Sequence, residues 1–299
     1  MSILKRYASH IYLAAAVLSL IAGLSLLFSL LYRYDAYGRL TALIDADSVR
    51  VPILMYHHFA DDGSPGTTIS AEMFESHIKA LHEAGYTAVT FEQLCGYVSD
   101  GGQLPRRPVI ITIDDGYSSV YDIAYPILEK YGMTATVFII GVMHGETLYK
   151  DTQYPIYPPH FGDAEALEMS GSGVIHIQSH SYDMHQDEFY EAGQYRLGVL
   201  QKSGESDEEY AAAFNEDFER AAAQIENING ARPFVYSYPF GRHDKRSEAL
   251  LADNGVKATL TIVKGSSVVT RGSPKSLFGL KRYNAYGNLP ADNLLAMIR

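Results

Sequence analysis

Short apolar runs alternate with helix-patterned segments along most of this chain, and that alternation limits the fold more than any other feature. Val51–Met55, Tyr86–Val89, Val109–Ile113, Thr134–Ile140, Val174–Gln178, Phe234–Tyr238 and Val256–Val263 have the length and β-branched or aromatic content of strands. Between them, Ser70 can cap a helix to about Ala84, with Phe74, Ile78 and Leu81 on one face and Gly85 ending it. Thr90 and Gln93 form a capping box for a helix to about Val98. A helix from Ser118 to Tyr131 carries Pro126 as a kink, and Asp207–Asn227 is a long helix. Strands that alternate with helices imply a parallel sheet with right-handed crossovers. Six or more such units in about 250 residues fit a closed or nearly closed (β/α) barrel, with a doubly wound open sheet as the alternative. Two long inserts, 142–163 and 186–206, interrupt the pattern; loops of that length in a domain are usually functional or mobile.

Ahead of this pattern, residues 11–32 carry no charge and are apolar on every face, which is long enough to span a bilayer. The run lacks the small-x-small cleavage site of a signal peptide, and Lys5 and Arg6 precede it. The expected organisation is a short cytoplasmic N-terminus (1–10), a single transmembrane signal-anchor (11–32), a stalk (33–49) and one domain (50–299) outside the cytoplasm at the cell membrane. The chain has 24 basic and 35 acidic residues, a net charge of −11, so there is no basic footprint for nucleic acid. Its single cysteine, Cys95, excludes an internal disulfide and cysteine-rich zinc modules. Any metal site must therefore use imidazole and carboxylate, and eleven histidines are available.

Ligands of parallel barrels and sheets bind at the C-terminal ends of the strands. The residues that follow the strands here are Tyr56-His57-His58, Asp114-Asp115-Gly116, His180-Ser181-Tyr182-Asp183-Met184-His185 and Tyr238-Pro239-Phe240-Gly241. Asp-Gly is also a turn dipeptide, but a helical pattern follows it, not a partner strand. Adjacent aspartates point apart while strand geometry persists, so one can bind a metal while its neighbour meets water or substrate. The His180–His185 spacing fits neither a helix face nor a strand face, so the two would converge only across an irregular loop. His176 shares the strand face of His180 and is a substitute ligand or a packing residue beneath the site. Two histidines and one aspartate leave a divalent ion with open positions, as metal-assisted hydrolysis requires. Asp114, the aspartate left unligated in this reading, would take the proton of the attacking water.

These blocks resemble the polysaccharide deacetylase family (NodB-homology, carbohydrate esterase family 4). Thr112-Ile113-Asp114-Asp115-Gly116 is similar to its T-F-D-D-G block. The His180–His185 block is similar to H-[ST]-x-x-H, one residue longer, as in the branch that acts on poly-N-acetylglucosamine. The third block, R-x-P-[YF], stands as Ser237-Tyr238-Pro239-Phe240-Gly241, with Ser237 in the arginine's place; Arg282 is the replacement candidate. The late L-x-x-H block is missing, but Leu54-Met55-Tyr56-His57 matches it at the first strand, as in a circularly permuted branch. His58 is the next candidate there.

The resemblance implies a distorted (β/α)7 barrel, here preceded by the transmembrane helix, and a hydrolase that removes N-acetyl groups from cell-envelope polysaccharide. It implies Asp115, His180 and His185 as ligands of a divalent ion, zinc first and cobalt or another ion as substitutes. It assigns Asp114 as base, His57 as acid, and the Phe240 backbone N–H to an oxyanion hole, with Tyr238 and Arg282 as further oxyanion or substrate residues. Tyr149, Tyr154, Tyr157 and His160 are candidates either to line a sugar groove or to pack the insert onto the barrel. The expected partners are an acetylated glycan and, through the N-terminal helix, the membrane. An O-acetyl esterase and an inactive glycan-binding module are the alternative functions.

Overall fold

Pro52 splits the first apolar run into β1 (Ser48–Val51) and β2 (Ile53–Tyr56), since it has no N–H to give to a ladder. The computed structural model describes residues 16–29, 47–61, 66–186, 188–191, 193 and 195–299. After β2 come β3 (His58–Phe59), β4 (Thr68–Ile69), α1 (Ala71–Glu83), β5 (Thr87–Ala88), α2 (Phe91–Ser99), β6 (Pro108–Asp115), α3 (Tyr125–Lys130) and β7 (Ala135–Ile139). Then follow α4 (Asp163–Gly171), β8 (Ile175–Ser179), α5 (Asp207–Asn229), β9 (Val235–Ser237), α6 (Lys245–Asp253), β10 (Ala258–Lys264), β11 (Ser267–Thr270), β12 (Leu280–Asn284) and α7 (Ala291–Ile298).

The strands β2, β6, β7, β8, β9, β10 and β12 pair in parallel, and the β2–β6 and β12–β2 ladders join the two ends of the series. The ring is a closed (β/α)7-type barrel, which excludes the open doubly wound sheet. Alternation along each strand makes two cores. Ile53, Ile110, Phe138, Leu260 and Leu280 fill the barrel interior, closed from below by Phe91 of α2. Leu54, Ile111, Ile113, Val137, Ile139 and Ile177 point outward and pack against helices such as α1, whose Phe74, Ile78 and Leu81 are fully buried. Each such side chain contributes roughly 1.5–3 kcal/mol relative to exposure.

Both predicted helix starts have the expected caps: Ser70 accepts from the Met73 amide, and Thr90 with Gln93 forms a reciprocal capping box. Pro126 lies in the first turn of α3, preceded by a widened turn over Val120–Ala124, so its missing N–H leaves no gap in a regular ladder. Two expectations need correction. Ser48 and Val49, read as the end of a stalk, belong to β1 and pair with Thr270 and Val269 of β11. Leu280–Asn284, not read as a strand, is β12 and closes the barrel. Of the apolar run 11–32, residues 16–29 are described and are helical. The ends of that run, and residues 33–46 of the expected stalk, lie outside the described residues. No described helix is long and apolar enough to cross a membrane.

Candidate metal centre

In β6 the side chains of Ile110, Thr112 and Asp114 face the barrel axis, while Ile111 and Ile113 face the helices. Strict alternation would turn Asp115 outward. Instead Asp115 has φ +76°, so the chain leaves strand geometry at that residue and both carboxylates meet the same space. Asp115 Oδ1 lies 3.6 Å from the Nε2 atoms of both His180 and His185. Asp114 Oδ2 lies 4.0 Å from His180 Nε2. The condition under which the two aspartates would point apart, persisting strand geometry, thus ends at Asp115. Asp is one of the few residues besides glycine that tolerates the left-handed region. Ser181 (φ +77°) and Phe240 (φ +56°) adopt it too, directly after β8 and just past β9. Three of the four non-glycine residues with positive φ among the described residues thus rim one end of the barrel. Such strain tends to collect at functional sites.

His180 Nδ1 lies 2.7 Å from the Ser237 carbonyl oxygen. A carbonyl only accepts, so Nδ1 carries the proton and Nε2 presents its lone pair to Asp115 and His185. Burial pushes the His180 imidazolium down to about 4, which keeps the ring neutral. The His185 ring lies 5.0 Å from that of His180 and 4.2 Å from that of Phe240. One ligand atom from each of Asp115, His180 and His185 falls within 4.8 Å of the others. Asp115 Oδ1 is buried without a hydrogen-bond partner. A buried carboxylate oxygen with no hydrogen-bond partner, facing the Nε2 atoms of two imidazoles, is costly unless a cation lies among them, so these residues fit a divalent metal. Burial raises the Asp115 carboxyl, but His185, His57 and His180 outweigh it and leave it below its ordinary value.

Asp114 is held differently. Arg282, 1% exposed, reaches in from β12 and grips it with two parallel bonds of 2.7 Å, Nη1 to Oδ1 and Nη2 to Oδ2. The same guanidinium bonds the Thr261 carbonyl through Nε and the Ser237 hydroxyl through Nη2. Burial favours the neutral acid, yet the Arg282 charge and the neighbouring His180 hold the Asp114 carboxyl well below the usual carboxylate range. Ser237 explains its own presence: a small side chain on β9 leaves the room that the guanidinium fills from β12. Arg282, chosen from sequence only as a replacement, is thus the arginine that orients Asp114.

His57 follows β2 and continues the inward face of Ile53 and Met55. Its field acts on both aspartates, and its Nδ1 is buried without a hydrogen-bond partner. His58, the other candidate, is engaged: its Nδ1 lies 2.9 Å from Ser119 Oγ and its ring edges onto Tyr117. His176 is at the opposite end of β8, with Nδ1 3.9 Å from Glu92 of α2, and is no substitute ligand. Tyr238 is also corrected: its ring is fully buried outside the barrel with Tyr210, Phe214 and Val256 and stacks on His243, so its side chain does not line the site. Of the insert residues, Tyr149 is buried and donates to Glu191, and His160 packs on Tyr117, while Tyr154 and Tyr157 are exposed.

The family model for polysaccharide deacetylase matches residues 101–259, more than half of the chain. The chain belongs to the polysaccharide deacetylase family. The family is the one that the motifs resemble. Among curated relatives, it is 26% identical over 218 residues to the putative polysaccharide deacetylase YxkH of Bacillus subtilis, covering 73% of this chain and 66% of that one. It is 33% identical over 118 residues to a poly-beta-1,6-N-acetyl-D-glucosamine N-deacetylase of Staphylococcus aureus, covering 40% of this chain and 38% of that one. The chain thus spans slightly under two thirds of the first relative and well under half of the second. Among solved structures, a de-N-acetylase from Aggregatibacter actinomycetemcomitans superposes with a TM-score of 0.69 at 21% identity, over 83% of this chain and 100% of that one. IcaB from Ammonifex degensii gives 0.67 at 22% identity, over 83% and 97%. At these identities the structural likeness establishes the fold. His57 and Arg282 both fall outside the region that the family model matches, and the barrel nevertheless brings them to Asp114 and Asp115.

Proposed function

We propose that this domain removes N-acetyl groups from an N-acetylhexosamine polymer, with a β-1,6-linked N-acetylglucosamine polymer as the first substrate to test. The observation that carries the reading is the division of labour between neighbours. Asp115 Oδ1 is left without a hydrogen-bond partner in front of two imidazole Nε2 atoms, while Asp114 is locked by a buried guanidinium. The Staphylococcus relatives support the choice of glycan. In this reading Asp115, His180 and His185 hold a divalent ion, zinc first. That ion, when bound, would polarise the acetyl carbonyl and acidify the attacking water, which lets a weakly basic carboxylate accept its proton. Asp114 is that acceptor; Arg282 keeps it ionised and fixes the direction of its lone pairs. His57, whose buried Nδ1 has no hydrogen-bond partner, delivers a proton to the amine as it leaves, without which the C–N bond does not break. Phe240 holds the ring of His185 in place, and its left-handed backbone aims the β9 turn at the reaction space.

The full chain should release acetate from poly-N-acetylglucosamine, lose this activity on chelation and regain it with zinc or cobalt. His185→Ala should lose metal affinity, whereas His176→Ala should keep it. His57→Ala should retain metal but lose ~10²–10⁴-fold in turnover on the amide, the usual worth of general acid–base catalysis. On an activated ester, whose leaving group needs no proton, the loss should be much smaller. Full activity without metal, or His57→Ala as active as wild type on the amide, would overturn the scheme. We further propose that residues 11–32 anchor the domain outside the cytoplasm. Sedimentation of the full chain with membranes, and release of a chain starting at residue 47, would test that; a soluble full chain would refute it.

A further inference from the structure

The loop between His180 and His185 is one residue longer than the motif it resembles, and each of its internal amides has a defined acceptor. The Ser181 N–H donates to Ser179 Oγ, and the Met184 N–H donates to Ser181 Oγ. The two between them donate to a residue far away in sequence: the Tyr182 N–H reaches Asp217 Oδ2 at 2.9 Å and the Asp183 N–H reaches Asp217 Oδ1 at 2.6 Å. Asp217 lies on α5 and is 8% exposed, yet no arginine or lysine bridges it among the described residues. Burial is the main force on its carboxyl and pushes it up to about 6, against the two amides and Arg220, which favour the charged form. A buried carboxylate without a salt-bridge partner is an expensive way to hold a helix to a loop. The side chains three and seven residues further along the same face of α5 act on the same region. Arg220 lies over the Tyr182 ring at 3.9 Å, and Gln224 Nε2 donates to the Gly141 carbonyl at 3.3 Å. Gly141 in turn donates to the Ser181 carbonyl, and an added Cβ there would lie 2.5 Å from the Tyr182 ring.

We propose that Asp217 is a positioning residue: its carboxylate pins the middle of the six-residue loop through two adjacent amides and so sets His185 against His180 and Asp115. The proposal rests on the metal-binding reading above. The geometry here uses both oxygens of a carboxylate: two neighbouring N–H groups converge on one side chain, and each meets an oxygen of its own. In Asp217→Asn, the amide nitrogen would face one of the two donors and free that end of the loop.

The test is titration of metal-free protein with cobalt, following both affinity and the visible absorption band, which reports ligand geometry. Asp217→Asn should bind cobalt about 10–100-fold more weakly, the range typical when a group supporting a ligand is removed, with an altered band. Asp217→Glu, which keeps both oxygens, should recover part of the loss. A folded Asp217→Asn with unchanged affinity and band would overturn the proposal, even with a lowered melting temperature, since that is what a merely structural anchor predicts. Amide hydrogen exchange on metal-free wild type covers the case in which the variant fails to fold. The Tyr182 and Asp183 amides should be as protected as those of β8, and fast exchange at both would overturn the proposal. Wild type that binds no cobalt while these amides stay protected would instead refute the metal-binding reading and leave the loop anchor standing.

Discussion

A single inward-facing position decides much of this site. On β6, alternation alone places Thr112 and Asp114 on the barrel axis, so the inward placement of Asp114 follows from the strand pattern. The turn of Asp115 into the same space does not, because it depends on a left-handed residue that no pattern of hydrophobicity marks. Tyr238 was misassigned for a related reason. Its block belongs to the site, but on a strand the neighbour of an inward residue points outward, and Ser237 is the inward one. The relation between Ser237 and Arg282 can be tested by exchange. Ser237→Arg alone would press a second guanidinium against Arg282 around one carboxylate and should destabilise the fold by about 3–5 kcal/mol, the scale of an uncompensated buried charge. The double variant Ser237→Arg with Arg282→Ser should recover more than half of that loss in urea unfolding. It should also turn over at least tenfold faster than either single variant. No recovery would mean that the arginine cannot be moved between the two strands.

At the scale of elements, helices with caps and strands with β-branched runs were readable, whereas β12 was not. Its sequence, Leu280-Lys281-Arg282-Tyr283-Asn284, places two cations in the middle of a strand, and a buried arginine has the same letter as an exposed one. Its partners on other strands, above all the countercharge of Asp114, offset the cost of burying the guanidinium. A second polar connection ties α1 to both ends of the domain. The Tyr56 hydroxyl of β2 lies 3.1 Å from His77 Nδ1, and His77 Nε2 lies 2.6 Å from the Leu289 carbonyl just before α7. A carbonyl accepts only, so Nε2 carries the proton and Nδ1 takes that of the tyrosine. Burial lowers the His77 imidazolium below its ordinary value. The unfolded chain therefore binds the proton more readily than the folded one. The stability this neutral ring supplies is present above ~6.5, the unperturbed value, and is lost as the pH falls through the lower folded-state value. His77→Gln, which can bridge the same two groups without titrating, should lose less melting temperature than wild type between pH 7 and pH 5. Parallel curves for the two proteins would show that His77 does not carry this dependence.

For the whole molecule, the closed ring has a consequence that sequence order hides. β2 and β12 come from opposite ends of the domain and are neighbours, with Leu54 opposite Tyr283 and Met55 opposite Asn284. The Arg50 guanidinium reaches the Arg299 carbonyl at 2.8 Å, so the chain end lies beside β1. Joining residue 299 to residue 48 through a short flexible linker and opening the chain after Gln103, in the segment between α2 and β6, should preserve every ladder of the ring. Exposed, irregular segments of this kind tolerate new termini best. The permutant should bind cobalt with the wild-type absorption band and keep activity within about tenfold, since no catalytic distance changes. In it, the order of the site residues would run Asp114, Asp115, His180, His185, Arg282, His57. Loss of the band in a folded permutant would show that α2 must be connected directly to β6 for the site to form. Closure itself was only one of two sequence readings, because strand count and strand length do not reveal which edges meet.

The Arg282–Asp114 pair also constrains how this lineage can change. Neither member is safely lost alone: without the aspartate a guanidinium stays buried with no countercharge, and without the arginine a carboxylate does. A neutral pair of similar volume could replace both at little cost to the fold, but it would remove the carboxylate proposed as the base in the same step. Descendants that abandon chemistry and keep the barrel as a carbohydrate-recognition module should therefore have discarded both residues together, and sequences with only one of the two should be rare among folded proteins.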